Sequence, residues 1–421
     1  MVSDASPPLA MKTSFFDQIT DPKNIRAAYL DLAKKFDEDS KTERYRGVDG
    51  LNIPDLDFTS EEVIREIRDE MLALRAIAPA YLATTPKKNG KKRSISIYPV
   101  KERVKAEAIF RVLFPFFDKY FSDFLFSYRS SHPSYYAARS AVRRYKRYYG
   151  QNHVLVTDFV NYGDSIDHDL LLEKIKTLGF DDKTVKLLEL FIKTRVHENG
   201  KLITRPCGIL SGTPLCALLS NFYLDAFDKW AGKRVAFYRR VGDDMIAMDK
   251  DATRIKELHA SLLETVKTLK LQINQNKETL IKDTEPFKFL GYSFHHGLVG
   301  FDESSISKAK AKWKKELSRI PGLKKGLSQK TIAQKIRGFR NMDHRKTGSP
   351  DDDFGKIIQQ KILVDDTRQI KKFSDSLAGK LATFLFGYDT PHKRQRAAHI
   401  IKDSKTRSLF EQYLFFRFRK K

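Results

Sequence analysis

The chain has 421 residues, of which 41% are hydrophobic and 12% aromatic, so it can bury a sizeable core and is not a disordered tail. Two cysteines, Cys207 and Cys216, without a His or Cys pair at zinc spacing, argue against a disulfide framework or structural zinc, and no run of about eighteen apolar residues suggests a membrane span. A formal net charge of +25 calls for a polyanionic partner, nucleic acid ahead of an anionic membrane.

The start, MVSDASPPLAMKTSFF, lacks the basic n-region and apolar core of a secretory signal, and the expectation is a cytoplasmic protein. Residues 1–80 read as a helical N-terminal extension. FDQITDPKNIRAAYLDLAKKF and SEEVIREIRDEMLALRAI carry apolar residues at helical spacing, with the turn-rich NIPDLDF between them. Next, YLATTPKKNGKKRSISIYPVKERV combines a basic, glycine-containing turn with an alternating strand through Ile95 and Ile97, and an amphipathic helix follows. From Val154 to about Phe294, strand-like and helix-like stretches alternate, which predicts an α+β core.

Three stretches of that core carry chemistry. VLVTDFVNYGDSIDHDL (154–170) reads as a buried strand ending on Asp158. CGILSGTPLCALLSNFYLDAF (207–227) is a glycine-bearing turn leading into an apolar helix. VAFYRRVGDDMIAM (235–248) reads as a β-hairpin with Asp243 and Asp244 at its tip. An acid at a strand end and an acid pair on a hairpin turn suit a two-metal site. Magnesium takes hard oxygen ligands and keeps part of its water shell, so a few carboxylates and substrate phosphates suffice. Two such ions, with manganese as the alternative, would serve in-line displacement at phosphorus.

Past residue 300 the strand signals fade. Ile306, Ala309, Trp313, Leu317 and Ile320 recur at helical spacing between lysines. Residues 301–421 hold 30 Lys and Arg against 13 Asp and Glu, +17 of the total charge, and read as a helical nucleic-acid clamp. His295-His296 reads as surface without carboxylate company, Asp351-Asp352-Asp353 as a solvated loop, and Tyr135-Tyr136 as core packing.

These motifs, in this order, resemble the bacterial reverse transcriptases, the group containing group II intron-like and defence-associated enzymes. The resemblance spans about residues 80–320. Asp158 with GDSIDHDLL is similar to the family's motif A, GILSGTPLCALLSN to motif B, and Val241-Gly242-Asp243-Asp244 to its YxDD box. LKLQINQNKETL is similar to motif D, with Lys277 at the lysine, and FLGYSF to the primer-gripping hairpin. NGKKRSISIYPVKERV resembles the fingers segment, and FSYRSSHPSYYAA the FGFRPxxS run.

The resemblance implies a right-hand polymerase of α+β class: a helical extension over 1–80, fingers and a palm built on a small antiparallel sheet over 81–300, and a basic helical thumb over 301–421. It implies that Asp158, Asp243 and Asp244 hold two magnesium ions. Arg93, with Lys91 or Lys92, would meet the incoming triphosphate, as suits the planar fork of arginine. Lys277 would donate a proton to departing pyrophosphate, unless it is an ordinary helix-end lysine. Gly212, Tyr162 and Gly163 would line the nucleotide. Arg129, Val241, Gly291 and Tyr292 would face primer or template.

The chain departs from the pattern at four places. Gly163 stands where the family keeps the Phe or Tyr that rejects a ribose 2′-hydroxyl; Tyr162 is one place away, on the opposite face if the segment is a strand. Val241 replaces the YxDD tyrosine, and Leu210-Ser211 stand where Pro-Gln is usual. No cysteine-rich endonuclease signature is visible.

The reading that follows is a magnesium-dependent RNA-directed DNA polymerase of phage defence. It would use dNTPs and an RNA template or structured non-coding RNA, give a DNA product and have no membrane partner. Its oligomeric state is open between homo-oligomer and partner protein. The alternatives are an untemplated or ribonucleotide-tolerant nucleotidyltransferase, or a maturase-like RNA-binding scaffold.

Overall fold

The computed structural model describes residues 14–38, 46–55, 61–86, 92–307 and 390–403, with residues 364–366 and a few isolated positions between 311 and 383. In chain order the elements begin with α1 (Phe15–Ile19), α2 (Pro22–Glu38), α3 (Glu61–Leu72), β1 (Ala80–Pro86), β2 (Lys92–Ile97), α4 (Val100–Tyr120) and α5 (Ser134–Arg147). Then follow β3 (His153–Thr157), α6 (Tyr162–Ser165), α7 (His168–Lys176), α8 (Asp182–Ile192), β4 (Val196–Glu198), β5 (Lys201–Ile203), α9 (Pro214–Tyr223) and α10 (Asp225–Arg234). The hairpin strands β6 (Phe237–Val241) and β7 (Asp244–Asp249) precede α11 (Ala252–Thr268), β8 (Thr279–Lys282), β9 (Phe287–Phe289), β10 (Tyr292–His295), β11 (Leu298–Phe301) and α12 (Pro391–Asp403). Helices and small sheets therefore share an α+β fold. The expected helix through Ala309, Trp313, Leu317 and Ile320 and the loop Asp351-Asp352-Asp353 lie outside the described residues.

The chain forms two compact units that interleave in sequence. The first is Met1–Ser134, Thr157–Ala247 and Thr253–Glu278, and the second Tyr135–Val156, Met248–Ala252 and Thr279–Lys421. In the first unit, α4 is the organising helix and packs against α2 and α9. Val104, Ala108, Ile109, Leu113 and Phe117 are fully buried on it, and Phe117 meets Phe222 edge-on at 5.3 Å. The long helical run expected before residue 40 is broken where Asp21-Pro22 ends α1 and starts α2, since proline fits the first turn of a helix and not its interior.

A four-stranded sheet of order β2-β1-β4-β5 belongs to this unit, with β1 antiparallel to β2 (Tyr81 opposite Ile97) and parallel to β4. In the second unit β3 pairs antiparallel with β8, Leu155 opposite Leu280, and β9, β10 and β11 form an antiparallel meander. Phe287 and Phe294 stack in the meander at 4.5 Å beside Tyr145 of α5. His295 Nε2 lies 3.6 Å from Asp366, so it does have a carboxylate neighbour, contrary to the sequence expectation.

One buried charge pair fixes the hairpin that carries the acids. Arg240 on β6 and Asp228 on α10 are both fully buried. The guanidinium donates through Nε (2.8 Å) and Nη2 (2.6 Å) to the Asp228 carboxylate, and the Tyr238 hydroxyl donates to the same group. Its remaining donors go to the carbonyls of Gly242 (2.9 Å) and Asn221 (2.9 Å), so one side chain ties the hairpin turn to the end of α9.

Breaking such a pair leaves an uncompensated buried charge, whereas replacing both partners by apolar groups removes the desolvation cost as well. Asp228→Ala is expected to lower unfolding free energy by about 3–5 kcal/mol in urea titrations, and Asp228→Leu/Arg240→Met to recover most of it. A loss below about 1 kcal/mol for the single variant would mean that the pair contributes no more than an exposed one.

Candidate active site

Asp158 follows β3 directly and is 4% exposed. Its backbone carbonyl accepts from Asn274 N–H (2.9 Å), Val160 N–H donates to the Gln272 carbonyl (2.8 Å), and Phe159 bridges Ile273. The segment 272–277 thus runs antiparallel past 158–160 and brings the Lys277 ammonium onto Asp158 Oδ2. Lys277 lies in the turn after Asn274, not at a helix end. The carboxylate pair Asp243-Asp244 comes from the β6–β7 turn, where Gly242 adopts φ +63° and supplies the left-handed conformation that the tight turn requires.

The electrostatics of this corner are dominated by negative charge. Burial, then Asp243, push the Asp244 carboxyl up to about 6, with Asp158 adding to the rise and Lys277 opposing it. For Lys277, burial alone would lower the ammonium pKa; the hydrogen bond to Asp158 and the charges of Asp158, Asp244 and Asp243 outweigh it, and the value rises. Asp158 Oδ1 is buried with no hydrogen-bond partner. An acceptor stranded in this way, beside two more carboxylates, suits a hard cation, since burial without a partner is costly. Among the described residues no group of three His, Cys, Asp or Glu side chains stands together closely enough to hold a metal ion by itself. Magnesium does not need one, because waters and substrate phosphates complete its shell.

The segment after Asp158 is zipped to the loop before α9. Ile209 N–H donates to the Gly163 carbonyl (2.9 Å), Gly208 N–H to Ile166 (2.7 Å), and His168 Nε2 meets the Gly208 carbonyl at 2.9 Å. Tyr162 and Gly163 lie in the short helix α6, not on a strand. Tyr162 is 7% exposed, its hydroxyl donates to the Ser220 carbonyl at 2.5 Å, and its ring lies 5.2 Å from Phe159. It is therefore committed to the core and does not swing in as a substitute for the ring missing at 163. A Cβ placed on Gly163 would meet nothing within 4 Å.

Gly212 is different. Its φ is +99°, and a Cβ there would sit 2.2 Å from the Ser96 carbonyl, so only glycine lets this loop approach β2. Ser211 Oγ accepts from Ser96 N–H (3.2 Å) and donates to the Ser94 carbonyl (3.4 Å) at the same contact. Val241 is half-buried at the end of β6.

Other residues read from the sequence fall elsewhere. Arg93 stands in β2 opposite Thr85; its side chain, like the whole of Lys91, lies outside the described residues. Arg129 is 7% exposed and turned inward. Its Nε donates to Asp118 Oδ1 (2.6 Å), Nη1 to the Ser122 carbonyl (2.8 Å) and Nη2 to the Asp118 carbonyl (2.7 Å), so it braces the end of α4 and does not face primer or template. Gly291 (φ +81°) turns β9 into β10, and Tyr292 is 2% exposed, buried in its own sheet beside Phe301; both belong to the second unit. Sequence reading missed Arg240 and Asp228. The signal for Arg240 was a pair of arginines inside a hairpin strand, of which Arg240 is the fully buried one.

Residues 85–294 match the family model described as "Reverse transcriptase (RNA-dependent DNA polymerase)". The chain belongs to the reverse transcriptases. Among curated relatives, the reverse transcriptase resembles Protein YkfC of Escherichia coli (strain K12), 24% identical over 305 residues, covering 63% of this chain and 79% of that protein. It also resembles the group II intron-encoded protein LtrA of Lactococcus lactis subsp. cremoris, 25% identical over 233 residues, covering 55% of this chain and 37% of that one. Solved structures similar to this reverse transcriptase include the apo telomerase of Candida tropicalis truncated from its C-terminal domain (14% identity, TM-score 0.42, 54% of this chain and 55% of that one). Another is the telomerase of Candida albicans in complex with the TWJ fragment of telomeric RNA (13% identity, TM-score 0.44, 83% and 65%). The chain thus spans most of YkfC but little over a third of LtrA and about half to two thirds of the telomerase chains. Among the described residues, no helix of the reverse transcriptase is long and apolar enough to cross a membrane.

Proposed function

We propose that this reverse transcriptase extends a nucleic-acid 3′-hydroxyl along an RNA template, with Asp158, Asp243 and Asp244 as its metal-holding carboxylates. The observation that carries this reading is the stranded Oδ1 of Asp158 beside the β6–β7 acid pair. Two magnesium ions bound there, or manganese in their place, would activate the attacking hydroxyl and neutralise charge on the leaving phosphates. The chain's own groups do the rest. Arg240 and Gly242 hold the acid pair in position, Arg93 and Lys91 are the cations assigned to the triphosphate, and Lys277 holds a proton at Nζ within reach of Asp158. The buried Tyr162 and the bare Gly163 leave the sugar face without an aromatic ring, which supports tolerance of ribonucleotides alongside dNTPs.

Primer contact is assigned, within the first unit, to Val241. The biological setting proposed is cytoplasmic phage defence with a structured non-coding RNA; its support is the likeness of the motif set to defence-associated members of the family.

Labelled dNTPs and rNTPs are offered with a primed RNA template, with magnesium or with EDTA. Magnesium-dependent, template-directed extension is the expected result. Extension that continues in EDTA, or that ignores template sequence, overturns the templated two-metal reading. RNA binding with no extension favours the scaffold.

A further inference from the structure

The second unit carries a concentration of positive charge that the polymerase reading does not use. Helix α5, SYYAARSAVRRYKR, contains Arg139, Arg143, Arg144, Lys146 and Arg147 and no acidic residue. Its inner face is Ala137, Ala138, Ala141, Val142 and Tyr145, all buried, so the cations occupy the remaining surface. Just beyond its end, the Tyr148 ring has three cations around it, two of them from α5. The guanidinium carbons of Arg144 and Arg147 lie 4.4 and 5.2 Å from the ring centroid, and Lys250 Nζ lies 4.5 Å from it.

Lys146 is paired with Asp365, whereas among the described residues Arg143, Arg144, Arg147 and Lys250 have no carboxylate partner. Arg144 Nε is held by Asn152 Oδ1 at 3.0 Å, which orients its fork. The negative face of a tyrosine ring attracts each cation separately but leaves their mutual repulsion uncompensated. Such an arrangement is one that an anion would stabilise. Next in sequence, Tyr149 is 38% exposed and rests edge-on against Tyr145 at 5.4 Å, which fixes an aromatic face beside the charges.

We propose that this face of α5 binds a single nucleic-acid strand, with phosphates taken by Arg143, Arg144, Arg147 and Lys250 and a base stacked on Tyr149. Arginine forks match phosphate oxygens in pairs, and an adjacent rigid ring is the combination by which single strands are held without sequence reading. The site goes beyond the polymerase reading, and its test does not use nucleotide incorporation as the readout.

Binding of full-length protein to fluorescent U20 RNA and dT20 DNA is measured by anisotropy across a salt series. Two variants are compared with the unaltered chain, Arg143→Gln/Arg147→Gln/Lys250→Gln and Tyr149→Ala. All three residues of the triple variant are exposed, so its Tm is expected to stay unchanged. Its log–log salt slope is expected to become shallower by about 2, from three lost phosphate contacts at about 0.7 each. Tyr149→Ala is expected to lose about 10-fold in affinity with the slope preserved, since stacking releases no counterion. Loss on RNA alone identifies an RNA strand as the ligand, and equal loss on both identifies any single strand. An unchanged slope in the triple variant overturns the proposal. So does unchanged strand binding accompanied by lost binding to phosphatidylserine vesicles, which would assign the patch to a membrane. If the triple variant unfolds, the single variants Arg143→Gln and Lys250→Gln are read by the same slope, each expected to lower it by about 0.7.

Discussion

Asp243→Asn is expected to reduce kcat/KM for nucleotide incorporation by about 10³-fold or more while leaving Tm unchanged or slightly raised. Several kcal/mol of transition-state charge stabilisation depend on an intact metal-holding set, and each tenfold in rate is about 1.4 kcal/mol. Stability should not fall, because the exposed Asp243 charge repels the Asp244 carboxylate, which burial already pushes up to about 6. The two readouts separate chemistry from folding. Primer extension under single-turnover conditions with saturating magnesium measures the first, and thermal unfolding the second. Activity within tenfold of the unaltered chain would remove Asp243 from the catalytic set.

Gly163→Phe is the second large effect. The unaltered chain is expected to use rNTPs within about 10-fold of dNTPs, and the variant to raise the preference for dNTPs to about 10²-fold, the size of a single steric exclusion. The substitution can be made without rebuilding the site. Gly163 is helical, its carbonyl bond to Ile209 is a backbone contact that survives, and the space at its Cβ is open. Paired kcat/KM values for UTP and dTTP on an RNA template decide it. If the unaltered chain already rejects UTP by more than about 10³-fold, discrimination lies elsewhere than at position 163.

Much of the fold was legible because local patterns and motif order agreed with each other. The strand-like runs flanking Gly242-Asp243-Asp244 announced the β6–β7 hairpin, and a glycine-bearing turn before an apolar run announced α9. What the sequence hid depends on partners far away in the chain. Arg129 resembles a template contact until Asp118 and the carbonyls of residues 118 and 122 take up its donors. Lys277 could pass for a helix-end lysine; only the antiparallel run of 272–274 along 158–160 carries it to Asp158. The face taken by Tyr162 was equally hidden, because the bonds from Ile209 and Gly208 hold 162–165 as the short helix α6.

The contact at Gly212 constrains how this protein can move. Ser211 is hydrogen-bonded to both Ser94 and Ser96, and the Gly212 backbone lies too close to the Ser96 carbonyl to admit even a methyl group. Two surfaces latched at that spacing translate together or separate completely. A hinge that closed β2 over an arriving nucleotide would therefore drag the start of α9 with it, and through the Ile209–Gly163 bond the strain would reach the turn behind Asp158. The loop before α9 thus links β2 to the segment after Asp158 through contacts that leave no slack at Gly212.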